Sequence, residues 1–126
     1  MKKSAIEKFT NNIEKLLRGE EVGLYRSSID ASFEYIAAEI LTDQLQKGIW
    51  YDGTEDLVFK VRDKNTIEFS GTMWVALNQE KFWQEPFYAK VTDNRKKGKG
   101  MNVFVKIGDK EGENDLFKII WKYKNT

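Results

Sequence analysis

Asp52 with Glu55 or Asp56, and Glu80 with Glu85, are the carboxylate pairs whose spacing comes nearest to acid–base chemistry. Glycoside hydrolysis needs two such groups across a scissile bond. All five sit in or beside expected turns, where spacing along the chain sets no separation in space. No imidazole can join them, because the 126 residues include no His. Histidine is the usual general base near neutral pH and the usual ligand of catalytic zinc and copper. Triads, HExxH sites and phosphohistidine chemistry are therefore excluded. The absence of Cys removes thiolate nucleophiles, disulfides and Cys-ligated zinc. An enzyme built from this chain would work with carboxylates, Lys or Tyr. No catalytic, metal or cofactor motif is present, and the expectation is a non-enzymatic protein.

Two loops carry charge in patterns that invite a ligand. Arg95, Lys96, Lys97 and Lys99 share one connector with Gly98 and Gly100, a composition suited to phosphates or an acidic protein. The connector lacks the glycine spacing and following helix of a Walker or dinucleotide loop, so nucleotide binding is not expected. Asp109, Glu111, Glu113 and Asp115 alternate acids as a hard-cation loop would. Their order departs from the EF-hand pattern, and a simple turn is the better expectation. Glu39 and Asp43 place like charges four apart on a helix face, at a small cost in stability.

The elements that must position these groups follow from hydrophobic period. Ser4 and Glu7 read as a capping box, and Ile6, Phe9, Ile13, Leu16 and Leu17 recur at helical spacing up to Gly19, giving a first helix over 5–18. Glu14 and Arg18, four apart, support it weakly. Ser27 or Ser28 caps a second helix whose stripe runs through Ile29, Phe33, Ile36, Ala37, Ile40, Leu41 and Leu45 to a stop at Gly48. The segment from Tyr51 to Asp56 is turn chemistry. Beyond it the period becomes two, with strands expected over 57–62, 66–77, 82–92, 101–107 and 116–123. Gly71 marks a bend or bulge in the second strand. Pro86 makes the third strand an edge or a bulged strand at that point.

Alternation sorts these strands into two faces. The apolar face collects Leu57, Phe59 and Val61; Ile67, Phe69, Met73, Val75 and Leu77; Phe87, Ala89 and Val91; Met101, Val103, Val105 and Ile107; and Phe117, Ile119, Trp121 and Tyr123. It is the expected seat of both helices. The opposite face holds Lys60, Arg62, Glu68, Trp74, Tyr88, Lys90, Phe104, Lys106, Leu116, Lys118, Ile120 and Lys122, six cations against one carboxylate. Exposed sheet surfaces routinely carry Lys, yet Trp74, Tyr88, Phe104 and Ile120 would form a partner surface if strand order made them contiguous.

The whole chain bounds the rest. Its length suits one domain spanning 1–126, and 17 aromatic residues in a 40% hydrophobic composition supply a core. Lys plus Arg number 21 and Asp plus Glu 20, so no overall field draws the molecule to nucleic acid or membrane. No segment approaches a membrane span, and Met1-Lys2-Lys3 opens no secretory signal, which places the expectation in the cytoplasm. The fold class expected is α+β, two N-terminal helices packed on one face of a five-stranded antiparallel sheet. A helical start followed by a curved antiparallel sheet is similar in topology to the cystatin and NTF2-like rolls, with no motif of either family.

Three functions compete on this reading. The first is a small binding protein using the outer face, centred on Trp74, Tyr88 and Phe104, against a protein partner or a second copy. Interfaces favour Arg over Lys, so a mostly Lys face argues against an obligate dimer. The second is single-stranded nucleic acid or another polyanion on the same face, with Lys60, Arg62, Lys90, Lys106 and the 95–99 loop meeting phosphates. The third is a small-ligand pocket or carboxylate enzyme between the sheet and the second helix.

Overall fold

The structure, a computed structural model, describes residues 3–20 and 26–119. Helix α1 spans Lys3–Leu17 and α2 spans Arg26–Ile40. The strands are β1 (Ile49–Val61), β2 (Thr66–Leu77), β3 (Lys81–Asp93), β4 (Met101–Ile107) and β5 (Lys110–Asp115). They form one antiparallel sheet in the order β1-β2-β3-β4-β5. Every neighbour in the sheet is a neighbour in sequence, as short connections favour. The α+β class is as the periodicity predicts. Among the described residues no helix is long and apolar enough to cross a membrane.

Both helices lie on one face of the sheet and share one core with it. Ile6, Phe9, Ile13 and Leu16 of α1 meet Phe33, Ile36 and Ala37 of α2 over Ile67, Phe69, Phe87 and Val103. Phe33 is the centre of the contact, its ring 4.9 Å from Phe69 and 5.1 Å from Phe87. The stripe at spacings of three and four on each helix makes this burial, and the alternation of β2, β3 and β4 supplies the floor.

Several expected boundaries move. Helix α1 already includes Lys3, so Ser4 lies in its first turn and not at its cap. Arg18 pairs with Glu20 at 3.1 Å and Glu14 pairs with Arg95, in place of the expected pair along α1. Ser27 and Ser28 lie inside α2, which ends at Ile40. Asp43 then sits in a 3-10 turn, Thr42–Gln44, so Glu39 and Asp43 do not share a helix face.

The segment from Tyr51 to Asp56 belongs to β1. Its turn-forming residues make two register shifts against β2, one at Asp52 and Gly53 and one at Asp56 and Leu57. Gly53 and Asp56 carry the positive φ values these bulges need, 98° and 56°. Gly71 stands opposite the second bulge and keeps regular pairing with Phe87 itself. A Cβ there would lie 2.6 Å from the Glu55 carbonyl oxygen, so the irregularity is in β1 and Gly71 makes room for it. Pro86 pairs with Thr72, and its carbonyl accepts from Gly108 N at 2.9 Å, just past Ile107, the last residue of β4. Amide and carbonyl of one strand residue point the same way, so the missing N–H falls where β3 has lost its neighbour. Pro86 is at a local edge, one of the two expected alternatives.

The fifth strand is the largest correction. It runs over Lys110–Asp115, and 116–119 is a helical turn. Asp115 Oδ1 accepts from the amides of Phe117 at 2.7 Å and Lys118 at 3.3 Å, an N-cap that starts the turn where a strand was expected. Leu116 and Ile119, three apart, are buried, while Phe117 and Lys118 are exposed, which is a helical period. Leu116 thus leaves the outer face and Phe117 the core; Ile120, Trp121, Lys122 and Tyr123 lie outside the described residues. The short β5 has its free edge occupied by Gln44. That carboxamide donates to Glu111 O at 2.7 Å and accepts from Glu111 N at 3.3 Å, as a neighbouring strand would.

Candidate functional site

The outer face of the sheet is read directly from the register. One row across it is Lys60, Glu68, Lys90, Phe104 and Glu113. The next is Val58, Ser70, Tyr88, Lys106 and Glu111, then Glu55, Thr72 and Pro86, then Trp74 and Gln84, then Trp50, Ala76 and Phe82. Opposed residues of an antiparallel pair share a face, so these rows are neighbours in space. Neither helix packs on this side.

Tyr88 and Phe104 come together, with ring centroids 6.1 Å apart and planes inclined by 57°. Val58 stands on the same row as Tyr88 and is 62% exposed. Val58, Lys60, Glu68, Ser70 and Tyr88 line a shallow recess of about 220 Å³. Trp74 is apart from this group, about 13 Å along β2 from Ser70, the partner of Tyr88. Its indole donates to Glu55 Oε1 at 2.8 Å, and Gln84 donates to the other carboxylate oxygen at 3.1 Å.

Trp74 has aromatic company that the sequence reading did not include. Trp50 and Phe82 flank the fully buried Ala76 one row beyond it, and Phe82 is 53% exposed. Phe82 was within reach of parity, since 82, 84 and 86 continue the alternation of Tyr88 and Lys90. Trp50 was not, because 51–56 reads as a turn and the expected strand began only at Leu57, whereas β1 starts at Ile49.

The cations are less available than composition suggests. Arg62 Nε donates to Glu68 Oε1 at 2.7 Å, and that bond holds the Glu68 carboxyl below its ordinary range. Burial, followed by the Glu68 charge, raises the Tyr88 phenol. Lys60, Lys90 and Lys106 are exposed, but Glu111 and Glu113 from the relocated β5 stand beside Lys106 and Phe104. With Glu55 included, four carboxylates oppose Lys60, Arg62, Lys90 and Lys106, in place of the expected excess of cations. Lys118 is exposed on the helical turn, away from the strand rows, and Lys122 lies outside the described residues.

The basic loop divides in the same way. Arg95 holds both oxygens of Asp93, at 2.8 and 2.6 Å, and its third nitrogen pairs with Glu14 of α1. The hydrogen bonds that Arg95 donates to Asp93 lower the Asp93 carboxyl and raise the Arg95 guanidinium. Its carbon also lies 5.9 Å from the Phe117 ring centroid. Arg95 therefore ties α1 to the end of β3, while Lys96, Lys97 and Lys99 remain exposed.

The carboxylate pairs do not converge on a pocket of their own. Glu55 is engaged by Trp74 and Gln84, Asp52, Asp56 and Glu80 are exposed, and Glu85 lies on the helix-covered side beside Gly108. The space between α2 and the sheet centre, where the third competing reading placed a ligand pocket, holds the rings of Phe33, Phe69 and Phe87. Among the described residues no group of three or more Asp and Glu is arranged to hold a metal ion.

Charge is instead distributed along the strands. The end that carries the β1–β2 and β3–β4 connections (60–68, 88–104 and 113–115) has eight cations to five carboxylates. The opposite end (47–57, 72–86 and 106–111) has seven carboxylates to four cations. A chain of net charge +1 thus has a sheet with a basic end and an acidic, aromatic end. No family model, curated protein or solved structure matches this chain, so the candidate site stands on its own geometry.

Proposed function

We propose that this protein is a non-enzymatic binding protein that uses the outer face of its sheet to dock a protein. The observation that carries this reading is an apolar and aromatic face that, among the described residues, neither helix covers. It includes Val58 at 62% and Phe82 at 53% exposure, with Tyr88, Phe104, Trp74, Trp50 and Pro86 between charged residues. Isolated exposed apolar residues are ordinary, but two groups of them spread over four strands of one face are the composition of a partner surface. Aromatic anchors inside a charged surround match the anatomy of interfaces, where a few such residues carry most of the binding energy.

A photo-crosslinking residue at position 88 tests the reading. Adducts with a protein are expected, and they are expected to disappear when Trp74→Ala and Phe104→Ala are combined in a chain whose circular dichroism is unchanged. Undiminished adducts from that folded double variant would overturn the reading.

Polyanion binding has one observation in its favour, the basic end with Lys60, Lys64, Lys90, Lys96, Lys97 and Lys99 exposed. The adjoining Glu68 and Glu113 and the engagement of Arg95 weigh against it. An oligonucleotide that quenches Trp fluorescence at low salt and releases at high salt would give this reading priority.

A further inference from the structure

We infer that the protein docked on the outer face seats an arginine side chain among Trp50, Trp74 and Phe82, with its guanidinium against Glu55, an inference that rests on the docking role proposed above. The register sets the three aromatic residues around one small residue. Ala76 pairs with both Trp50 and Phe82, and Trp74 is two residues back along β2, diagonal to each of them. Diagonal neighbours on one face lie about 7–8 Å apart, within reach of large rings. Phe82 is 53% exposed, and Trp50 and Trp74 are half-buried, so all three keep surface to present.

Charge on this part of the outer face is of one sign. In the rows of Glu55, Trp74 and Trp50, Glu55 is the one ionisable residue at a paired position, and none is Lys or Arg. Lys81 pairs with Leu77 and alternates to the other side of the sheet, and Lys47 lines a recess against α2. Lys106 is two strands across from Trp74 and has Glu111 opposite it. An aromatic group with a single negative charge beside it is complementary to a cation.

Glu55 also prepares the ring it touches. The indole N–H donated to Oε1 at 2.8 Å polarises Trp74 and makes its face more attractive to positive charge. Each carboxylate oxygen has accepted one donor, from Trp74 and from Gln84, and each has capacity for a second. Those two donors hold the carboxylate in place next to the ring. A guanidinium suits both features together, because its plane stacks on an indole while its edge donates to a carboxylate. An ammonium has no plane to stack.

Isothermal titration calorimetry of the whole purified chain with a capped peptide of alternating glycine and arginine tests this. Binding is expected with a Kd below about 1 mM, and at least about tenfold weaker when citrulline, similar in shape but uncharged, replaces arginine. Glu55→Gln keeps the size of the side chain, removes its charge, and should raise Kd at least about fivefold. Trp74→Leu should raise it by a similar factor in a chain whose circular dichroism is unchanged. Lys106→Ala, outside the group, should leave Kd unchanged.

A peptide that does not bind at about 1 mM, a citrulline peptide that binds equally well, or a folded Glu55→Gln chain with an unchanged Kd overturns the arginine. So does a neutral oligosaccharide, maltohexaose, that binds where the arginine peptide does not, since the indole, carboxylate and carboxamide then serve a sugar. Crosslinking from position 88 separates these failures from failure of the docking role. Protein adducts that form equally in Glu55→Gln keep the docking face and lose the arginine; a chain with no adduct loses both.

Discussion

Replacing Gly71 by Ala adds one methyl group at the point where the β1 bulge presses on β2. That carbon would lie 2.6 Å from the Glu55 carbonyl oxygen, and 3.1 Å from both the Asp56 carbonyl oxygen and a Phe87 ring carbon. Two of these contacts are backbone, so relief requires the bulge to move away and takes Glu55 and its bonds to Trp74 and Gln84 with it. Overpacking of this kind costs roughly 1–3 kcal/mol, and loss of glycine's freedom in the unfolded chain returns about 0.4–1 kcal/mol. Because two of the contacts are backbone, the overpacking falls in the upper half of its range, about 2–3 kcal/mol, and a net loss of about 1–2.6 kcal/mol follows. At about 2.1 cal/mol/K per residue, unfolding of 126 residues has an entropy near 265 cal/mol/K, so Tm should fall by roughly 4–10 °C. Thermal melts followed by circular dichroism give Tm, and Trp fluorescence reports the surroundings of Trp74. Ser70→Ala, one residue away on the outer face, is the control and should move Tm little. A Gly71→Ala chain as stable as wild type, or more stable, would refute the close approach of β1.

Other consequences follow from the clamp and the cap. Asp115→Ala removes the acceptor for the amides of Phe117 and Lys118 and should cost about 0.5–2 kcal/mol in urea denaturation; an unchanged midpoint would return 116–119 to the sheet. Asp93 is lowered in the folded chain by hydrogen bonds from Arg95, so its contribution is complete above its unfolded value. That contribution should be lost from about pH 4 downward, as pH falls through the lowered folded value. Wild type should therefore lose more stability on acidification than Asp93→Asn, measured by urea midpoints across that range; parallel curves would contradict the ion pair.

The sequence by itself determined the class of the fold and most of its strands. The register is strong through β2, β3 and β4 because most alternate residues there are apolar (Ile67, Phe69, Met73, Val75; Phe87, Ala89, Val91; Met101, Val103, Val105), and a slip of one residue would turn that whole set to water. The same alternation placed Lys60, Tyr88, Lys90, Phe104 and Lys106 on one face before any coordinates. The absence of His and Cys bounded the chemistry equally early.

Only the tertiary structure decided how that face is charged and where its aromatic residues gather. Residues 51–56 have turn composition, yet pairing with β2 keeps them in a bulged strand that continues to Trp50 and sets it opposite Ala76, on the same side as Trp74. Residues 116–119 alternate well enough for a strand, but the Asp115 side chain meets two free amides and starts a helical turn. The acids of 110–115 then enter the sheet and balance the lysines. Arg95 reads as a mobile cation until Asp93 and Glu14, the latter 81 residues away in the chain, are placed around it. Each of these outcomes depends on contacts between segments far apart in sequence, and a local pattern cannot weigh such contacts against its own preference.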